Sequence, residues 1–400
     1  MARPMPPAVT AIDRPRPPRI ALIAGEASGD QLGGELASAL AARWPGAELA
    51  GVGGQRMAAA GVRLWSDYAP LAVMGLFEVL RHLPRLLRFR KTLLARLTEW
   101  RPDLVVGIDA PDFNLGVERR MKRLGVATAH YVSPSVWAWR ERRAARMSAS
   151  VDRVLCLFPM EPAIYARHGV DARFVGHPLA DRFPHRSDRG QARSALGIDP
   201  RATVLALLPG SRLGEIRRLA PAFLDAARAL RAERPDLLVL VPAANAACGE
   251  ALHGLLAARP DPGIRVLDGQ GHPALVAADI VLLASGTAAL EAALAKRPMV
   301  VGYRIGAATY ALVRALRLIK ISRYSLPNVL ADSALVPELI QHDCTPSRIR
   351  DELARLLDDG AARDRQVAGF DAIHARLGVP GGSAAAAAAA LGDLVGGAPA

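Results

Sequence analysis

At roughly 100–200 residues per domain, the 400 residues of this chain predict two or three domains with ample length for hydrophobic cores. Hydrophobic residues make up 51% and charged residues 22%, which is ordinary for a globular α/β protein. The formal net charge of +13 leaves two explanations open: a general arginine bias, or attraction to anionic lipid, phosphate or nucleic acid.

Residues 1–18 are rich in Pro and Arg but lack the apolar core of a signal peptide, so they are predicted to form a disordered leader. Nowhere do about 18 uncharged apolar residues follow one another, which predicts no transmembrane helix. Cys156, Cys248 and Cys344 lie far apart and indicate neither a zinc site nor a disulfide framework, as in a reducing cytoplasm.

Short apolar runs then alternate with helical segments. The first run, Arg19–Ala24, is followed by a turn at 25–30 and a helix predicted over 31–43. Further strands are predicted at 104–108, 126–131, 151–158 and 172–175. Because the runs are continuously apolar, they indicate a parallel sheet that is covered on both faces.

Residues 178–200 are polar and are predicted to form a linker, after which the pattern restarts. The second series predicts strands at 203–208, 237–242, 264–267, 280–283 and 299–302, and helices that include 213–233 and 288–296. Two such series predict two doubly wound domains that face each other across a cleft. The predicted ranges are 19–185 and 186–345, followed by C-terminal helices and an alanine-rich tail at 346–400, in which 384–390 form a helix.

In the first domain, Glu26 and Ser28 lie in a glycine-containing turn directly after a strand, G-E-A-S-G-D. A plain strand-to-helix turn needs a glycine and a cap, so the extra polar groups favour contact with a ligand. Asp109 ends another buried strand, where α/β proteins bind ligands, and it is the candidate general base. Asp112 and Asn114 follow it, and Asp112 is predicted to cap the next helix.

The loop 131–140, Y-V-S-P-S-V-W-A-W-R, holds two of the five tryptophans and follows another strand. Two interpretations stay open for it. The loop either binds an acceptor sugar or its phosphate, or is a well-packed loop without a ligand.

In the second domain, the turn L-P-G-S-R-L-G-E (208–215) opens a helix and contains Arg212 and Glu215. A helix N-terminus beside an arginine suits a diphosphate. The turn that holds Ser285, Gly286 and Thr287 offers backbone N–H groups for phosphate, and Glu291 follows one helical turn later and suits a ribose. The alternative is a helix capped by Ser285 or Thr287. Asn328, after a proline, is either a turn residue or part of the site.

No metal is predicted, because the sequence contains no Asp-x-Asp and its histidines lack ligand spacing. Residues 71–97 combine an apolar run with interleaved basic residues, which predicts either a membrane-surface helix or a core helix with an arginine-rich face. Pro84 predicts a break or a kink, and hence two helical segments rather than one. The predicted membrane patch consists of Met74, Phe77, Val79, Leu80, Leu83, Leu86 and Leu87.

Eight motifs, in order over about 19–345, resemble the lipid A disaccharide synthase family of bacterial lipopolysaccharide synthesis. They are A-G-E-A-S-G-D (24–30), L-A-V-M-G-L-F-E-V-L (71–80), G-I-D-A-P-D-F-N (107–114), Y-V-S-P-S-V-W-A-W-R (131–140), L-L-P-G-S-R (207–212), L-L-A-S-G-T-A-A-L-E (282–291), M-V-V-G-Y-R (299–304) and S-L-P-N (325–328). Ala27 stands where the family often has Thr.

The resemblance implies an inverting GT-B glycosyltransferase that needs neither a metal nor another cofactor. It implies transfer of 2,3-diacylglucosamine from UDP to 2,3-diacylglucosamine 1-phosphate, giving UDP and the β-1,6-linked disaccharide 1-phosphate. Asp109 is implied as the base, with Glu26, Arg212, Glu291 and Asn328 around the donor or at the active site. The implied location is the cytoplasmic face of the inner membrane, where the enzyme is peripheral and contacts phospholipid. A homodimer is allowed, and nucleic acid is not an implied partner.

Three alternatives stay open from the sequence. UDP-N-acetylglucosamine 2-epimerases share this architecture, and so does the peptidoglycan glucosaminyltransferase. A membrane-bound lipid-binding protein is the alternative that is not an enzyme.

Overall fold

The computed structural model describes residues 16–71, 76–134, 141–306 and 323–396, with only the backbone for 76–82, 141–143 and 396. Contacts between residues divide the chain into two compact units. Unit 1 holds the residues up to Pro178 together with those from Val379 onward, and unit 2 holds Leu179–Gly378.

Unit 1 is built on a sheet of seven parallel strands. They are β1 (Arg19–Ala24), β2 (Glu48–Gly53), β3 (Arg63–Asp67), β4 (Leu104–Ile108), β5 (Ala127–Tyr131), β6 (Arg153–Cys156) and β7 (Ala172–Phe174), in the spatial order β3-β2-β1-β4-β5-β6-β7. The helices are α1 (Ala27–Arg43), α2 (Gln55–Ala59), α3 (Leu76–Trp100), α4 (Pro111–Lys122), α5 (Glu141–Met147) and α6 (Glu161–Ala166). Helix α7 (Pro178–Arg182) begins on the last residue of unit 1, and its other residues belong to unit 2. Because β1 and β4 are buried on both faces, they are continuously apolar.

Unit 2 repeats this plan with six parallel strands. They are β8 (Thr203–Leu208), β9 (Leu237–Ala243), β10 (Ile264–Asp268), β11 (Ile280–Ala284), β12 (Met299–Tyr303) and β13 (Glu338–Ile340), in the order β10-β9-β8-β11-β12-β13. The helices are α8 (Arg189–Ala195), α9 (Leu213–Glu233), α10 (Ala246–Ala258), α11 (Gly271–Ala277), α12 (Thr287–Leu294), α13 (Leu326–Ala331), α14 (Pro346–Asp358) and α15 (Gly360–Leu377).

The strand order reverses once in each sheet, between β1 and β4 in unit 1 and between β8 and β11 in unit 2. At such a switch point the connections leave the sheet in opposite directions, so a crevice opens at the carboxyl ends of the two strands. The prediction of two doubly wound parallel-sheet domains is confirmed, and the motifs singled out after β1, β4, β8 and β11 all lie at the two switch points.

Two local predictions were wrong. The first helix begins at Ala27 rather than at residue 31, so Ser28 lies in its first turn. Helix α3 contains Pro84 within one continuous helix, Leu76–Trp100, rather than in two segments. The stretch 178–200, predicted as a linker, contains two short helices, α7 and α8, and Asp188 caps the second of them by accepting from the N–H of Gln191.

The alanine-rich tail folds as predicted into a helix, α16 (Ser383–Ala390), which is followed by α17 (Gly392–Gly396). Its side chains complete the core of unit 1, where Ala387, Ala388, Leu391 and Val395 are buried among residues of β1 and α1. Arg153, on β6 and 4% exposed, binds the Asp393 carboxylate and the carbonyl of Ala390. The tail is therefore an integral part of unit 1.

Candidate active site

Glu26 and Ser28 lie at the switch point of unit 1, at the start of α1. Glu26 is the N-cap of the helix, and its carboxylate accepts a hydrogen bond from the Ser28 hydroxyl instead of capping the backbone. Only glycine fits at position 25, because an added Cβ would lie 2.3 Å from the Cβ of Ala110. The turn after β1 therefore packs directly on the turn after β4.

Asp109 follows β4 in a left-handed backbone conformation, with φ of 53°, and Ala110 follows with φ of 44°. For residues other than glycine such conformations cost about 1–3 kcal/mol each and concentrate at functional sites. Neighbouring groups hold the turn in place, since the N–H of Asp109 donates to Tyr131 and the Asn114 amide donates to the Asp109 carbonyl at 2.8 Å. The Asp109 side chain is thus presented by a rigid, strained turn.

The carboxyl groups of Glu26 and Asp109 follow neighbouring strands, and the charge of Glu26 acts on Asp109. Burial, and then the charge of Glu26, raise the pKa of Asp109 above its ordinary value. The N–H of Ala110 and the charge of His130 act in the opposite direction. A carboxylate with a raised pKa is a stronger base than an ordinary one, which suits removal of a proton from a hydroxyl.

Two buried residues beneath Asp109 did not emerge from the sequence. Glu118 on α4 and His130 on β5 are fully buried, and the His130 Nδ1 lies 2.8 Å from the Glu118 carboxylate. The sequence signal was a histidine inside an otherwise apolar strand, A-T-A-H-Y, which gives no hint of its partner.

Two further acidic residues, Asp112 and Asp30, belong to the same motifs. Asp112 was predicted to cap α4, which was wrong, because Ala110 occupies the N-cap position and no side chain caps the helix. Asp30, only 5% exposed, accepts hydrogen bonds from the N–H groups of Gly54, Arg56 and Met57 at the start of α2.

The loop after β5 begins with Val132 in a left-handed conformation, φ 80°. Ser133 is buried, and its hydroxyl lies 2.9 Å from that of Tyr165, while the Glu161 carboxylate accepts a hydrogen bond from the N–H of Phe158. Burial raises the pKa of Glu161 to about 7. The start of the loop is therefore well packed, and its remainder, 135–140, lies outside the described residues.

The raised pKa of Glu161 makes unit 1 sensitive to pH. Because the folded protein binds this proton more tightly than the unfolded chain, the stabilisation is complete below about pH 4.5 and is lost as pH rises through about 7. The shift corresponds to about 3 kcal/mol. As pH rises from 5 to 8, we expect the free energy of unfolding, measured with urea, to fall less in Glu161→Gln than in the wild type. Exposed Glu99→Gln is the control, and equal slopes in all three proteins would contradict this prediction.

In unit 2, the turn after β8 leads into α9 with Arg212 as its N-cap. Glu215, in the first helical turn, accepts a hydrogen bond from the N–H of Ser211 at 3.0 Å and fills the space beside Gly210. The Glu215 carboxylate therefore shapes the turn, whereas Arg212 is an exposed residue at the helix N-terminus.

The turn after β11 lies next to the turn after β8, because β8 and β11 are neighbouring strands of the sheet. Gly286 is the N-cap of α12, no side chain caps the helix, and Gly286 and Thr287 are exposed. The Ser285 hydroxyl instead donates to the Tyr324 carbonyl at 2.9 Å, so capping by Ser285 or Thr287 was wrong. On the same helix, burial raises the pKa of Glu291, and the charge of Arg182 opposes this.

Asn328, predicted as either a turn residue or part of the site, is 2% exposed on α13. Its amide donates to the Val336 carbonyl at 2.9 Å and accepts from the Val336 N–H at 2.8 Å. Both polar groups therefore tie this loop together, a structural role that the sequence motif does not reveal.

The predicted membrane patch falls on the first half of α3. Met74 lies outside the described residues, as do the side chains of Phe77, Val79 and Leu80. Leu83 is 42% exposed and Leu87 46% exposed, while Leu86 is half-buried. The second half of the helix packs into the core through Leu93 and Leu97.

Across the described ranges, no cluster of three His, Cys, Asp or Glu side chains offers a metal site. None of the helices described is both long enough and apolar enough to span a bilayer.

Comparison with known proteins agrees with this architecture. A solved glycotransferase of kitacinnamycin superimposes with a TM-score of 0.62 at 18% identity, covering 95% of this chain and all of that one. UDP-GlcNAc 2-epimerase from Neisseria meningitidis gives 0.59 at 11% identity, covering 87% of this chain and 94% of that one. At these identities the likeness shows the fold alone, and the fold class is GT-B.

Relatives found by sequence have a much higher identity to this chain than these solved structures have. A lipid-A-disaccharide synthase from Xanthomonas campestris pv. campestris is 56% identical over 370 residues, which cover 91% of this chain and 84% of the relative. The model of the family described as lipid-A-disaccharide synthetase matches residues 20–389. The chain belongs to this family, whose members are glycosyltransferases of lipid A biosynthesis.

Proposed function

We propose that this protein transfers 2,3-diacylglucosamine from UDP to the 6-hydroxyl of 2,3-diacylglucosamine 1-phosphate. The products are UDP and the β-1,6-linked disaccharide 1-phosphate. Family membership over 20–389 supports the reaction class, and the carboxyl pair of Asp109 and Glu26 at the switch point of unit 1 supports the chemistry. The proposed reaction needs no cofactor.

The reaction proceeds as a single displacement. The acceptor oxygen attacks the anomeric carbon on the face opposite UDP, the bond from that carbon to the diphosphate oxygen breaks, and Asp109 takes the hydroxyl proton. Asp109 must be ionised for this, so activity rises with pH through its pKa, which lies above that of an ordinary Asp. Burial and then the charge of Glu26 raise the pKa of Asp109, and Glu26 and Ser28 position the sugar.

Unit 2 binds the donor. The uncapped N-terminus of α12 at Ser285, Gly286 and Thr287 offers backbone N–H groups to the diphosphate. The exposed Arg212 supplies the positive charge that a metal ion supplies in other enzymes. Glu291 accepts hydrogen bonds from the ribose hydroxyls. Glu215 and Asn328 shape the loops around the donor through their backbone contacts.

Leu83 and Leu87 on α3 hold the protein on the membrane that contains its acylated substrates. Two leucines about half exposed beside exposed Arg85 and Arg88 suit the interface of an anionic bilayer. We place the protein at the cytoplasmic face of the inner membrane, bound to phospholipid. It works as a monomer or a homodimer.

If Leu83 and Leu87 contact the membrane, negative charges at these two positions should weaken membrane binding. We expect Leu83→Glu with Leu87→Glu to lower binding to vesicles of anionic phospholipid at least tenfold in a flotation assay. Leu124→Glu is the matched control, because Leu124 is also 46% exposed but lies after α4. Equal binding by the double variant and the wild type would contradict the assignment.

Product analysis tests the function itself. The purified protein is incubated with the diacyl sugar nucleotide, with and without the acylated sugar 1-phosphate, and the products are identified by mass spectrometry. We expect UDP and the disaccharide 1-phosphate only when both substrates are present. Conversion of the nucleotide without acceptor would indicate an epimerase, and binding without turnover would indicate a lipid-binding protein.

A further inference from the structure

A cavity of about 430 Å³ lies at one edge of the sheet of unit 2. Thr203 and Ile280, the first residues of β8 and β11, line it together with Pro298, which comes directly before β12. The turns proposed to bind the donor follow the other ends of β8 and β11, and strands of five or six residues put roughly 16–20 Å between the two edges. The cavity is therefore separate from the proposed nucleotide site. Its volume lies in the range of about 300–1,000 Å³ that is common for small-molecule sites.

Positive charge predominates around this cavity. Two acidic residues line it, Asp279 and Asp364, against five basic ones, which are Arg189, Arg234, Lys296, Arg297 and Arg363. The Asp279 carboxylate is shared, because Arg189 binds it at 2.6 Å and Arg193 binds it at 2.8 Å. Asp364 is exposed to solvent, where its charge is screened. The two carboxylates therefore leave an excess of positive charge in the lining.

Arg297 differs from the other four basic residues in its contacts. Its guanidinium makes no hydrogen bond or ion pair with the residues that the structure describes, and its Nε is buried. The other four are bound: Arg189 to Asp279, Arg234 to Asp358, Lys296 to His374, and Arg363 to the carbonyl of Leu356. Buried polar groups are normally paired, and an unpaired one calls for an explanation such as a bound ion.

Arg297 keeps its charge at neutral pH. Burial, and then the charge of Arg189, lower the pKa of Arg297 to about 10, because both disfavour another positive charge at this position. The guanidinium is therefore still protonated at pH 7. A partly buried cation among like charges is costly unless an anion pairs with it.

We propose that this cavity binds a small anion that carries at least one phosphate group, with Arg297 as its main contact. The planar fork of an arginine matches the oxygens of a phosphate and donates two parallel hydrogen bonds to them. A phosphate monoester carries about two negative charges at pH 7, which suits a lining with excess positive charge. The phosphate belongs either to a soluble phosphorylated molecule or to the headgroup of a phospholipid.

Isothermal titration of pyrophosphate into the full-length protein saturated with UDP tests the proposal, because UDP occupies the nucleotide site. We expect pyrophosphate to bind this complex, and Arg297→Met to raise its Kd at least about tenfold, as for loss of a charge-assisted hydrogen bond. Methionine keeps an unbranched apolar side chain but removes the N–H donors. The titration is repeated without UDP in Arg212→Ala, so that the result does not depend on the nucleotide assignment.

Arg265→Met is the matched control, since it removes one exposed arginine from the edge strand β10 of the same sheet. We expect it to keep the wild-type Kd for pyrophosphate. Arg297→Met should keep the wild-type Kd for UDP, which shows that unit 2 is folded. If Arg297→Met does not fold, the Nε–H signal of Arg297 in the wild type, assigned with Arg297→Lys, should shift when pyrophosphate is added.

A second ligand distinguishes the two sources of the phosphate. Tighter binding of glycerophosphoglycerol, the headgroup of phosphatidylglycerol, than of pyrophosphate would indicate a lipid, and the reverse order would indicate a soluble molecule. The proposal is wrong if neither compound binds the wild type saturated with UDP at millimolar concentration. It is also wrong if Arg297→Met binds both as tightly as the wild type, or if UDP displaces all bound pyrophosphate.

Discussion

Replacement of Asp109 by Asn is expected to lower kcat by about 10²–10⁴-fold, the usual contribution of a general base. Asn has the shape of Asp, can accept the N–H of Ala110 as Asp109 does at 2.9 Å, and tolerates the left-handed backbone at this position. The variant should therefore fold with an unchanged unfolding midpoint. Only the ability to take a proton is lost, and steady-state kinetics with both substrates measures it.

Asp112→Asn is the matched control, since it makes the same chemical change three residues away at an exposed position of the same motif. We expect it to keep kcat within about threefold of the wild type. Near-wild-type turnover by Asp109→Asn, or an equal loss in both variants, would remove Asp109 from the role of base.

Removal of residues 379–400 is expected to unfold unit 1. The deletion exposes the core that Ala387, Ala388, Leu391 and Val395 cover and leaves Arg153 without Asp393. Burial of the leucine and the valine alone contributes roughly 3–6 kcal/mol, which is a large part of the 5–15 kcal/mol stability of a typical domain. Hydrogen exchange should show protection lost in β1 and α1 but kept in unit 2.

A truncation that removes only 397–400 is the control and should leave exchange unchanged. Leu391→Ala gives a graded version, with an expected loss of about 2–4 kcal/mol in urea unfolding. Full protection of β1 and α1 in the longer truncation would show that the tail is dispensable for unit 1.

The sequence predicted the parts of the fold that depend on local pattern. Strands β1, β4, β8 and β11 are continuous apolar runs, and each is followed by a turn rich in Gly and polar residues, so the strands and the turns at their carboxyl ends could both be predicted. Their position at the two switch points follows from the doubly wound order. The start of α1 was misplaced because Ala27 and Ser28 are compatible with either a turn or a helix.

The supporting contacts of the site could not be predicted, because they join residues distant in the chain. The partner of His130 is Glu118, on another element, and the space for it comes from a glycine on a third. Asn328 resembled a ligand-binding residue because polar side chains in motif turns look alike whether they bind a substrate or a backbone N–H. Only the three-dimensional structure distinguishes the two cases.

The affinity for UDP tests most directly the proposal that unit 2 binds the donor nucleotide and unit 1 holds the general base. Isothermal titration of UDP into the wild type, Asp109→Asn and Arg212→Ala separates nucleotide binding from proton transfer. We predict that Asp109→Asn keeps the wild-type Kd within about twofold. Arg212→Ala should raise the Kd about 10–100-fold, as expected for loss of a charge-assisted hydrogen bond. Wild-type affinity in Arg212→Ala, or a weakened UDP complex in Asp109→Asn, would contradict the assignment of the donor to unit 2 and the base to unit 1.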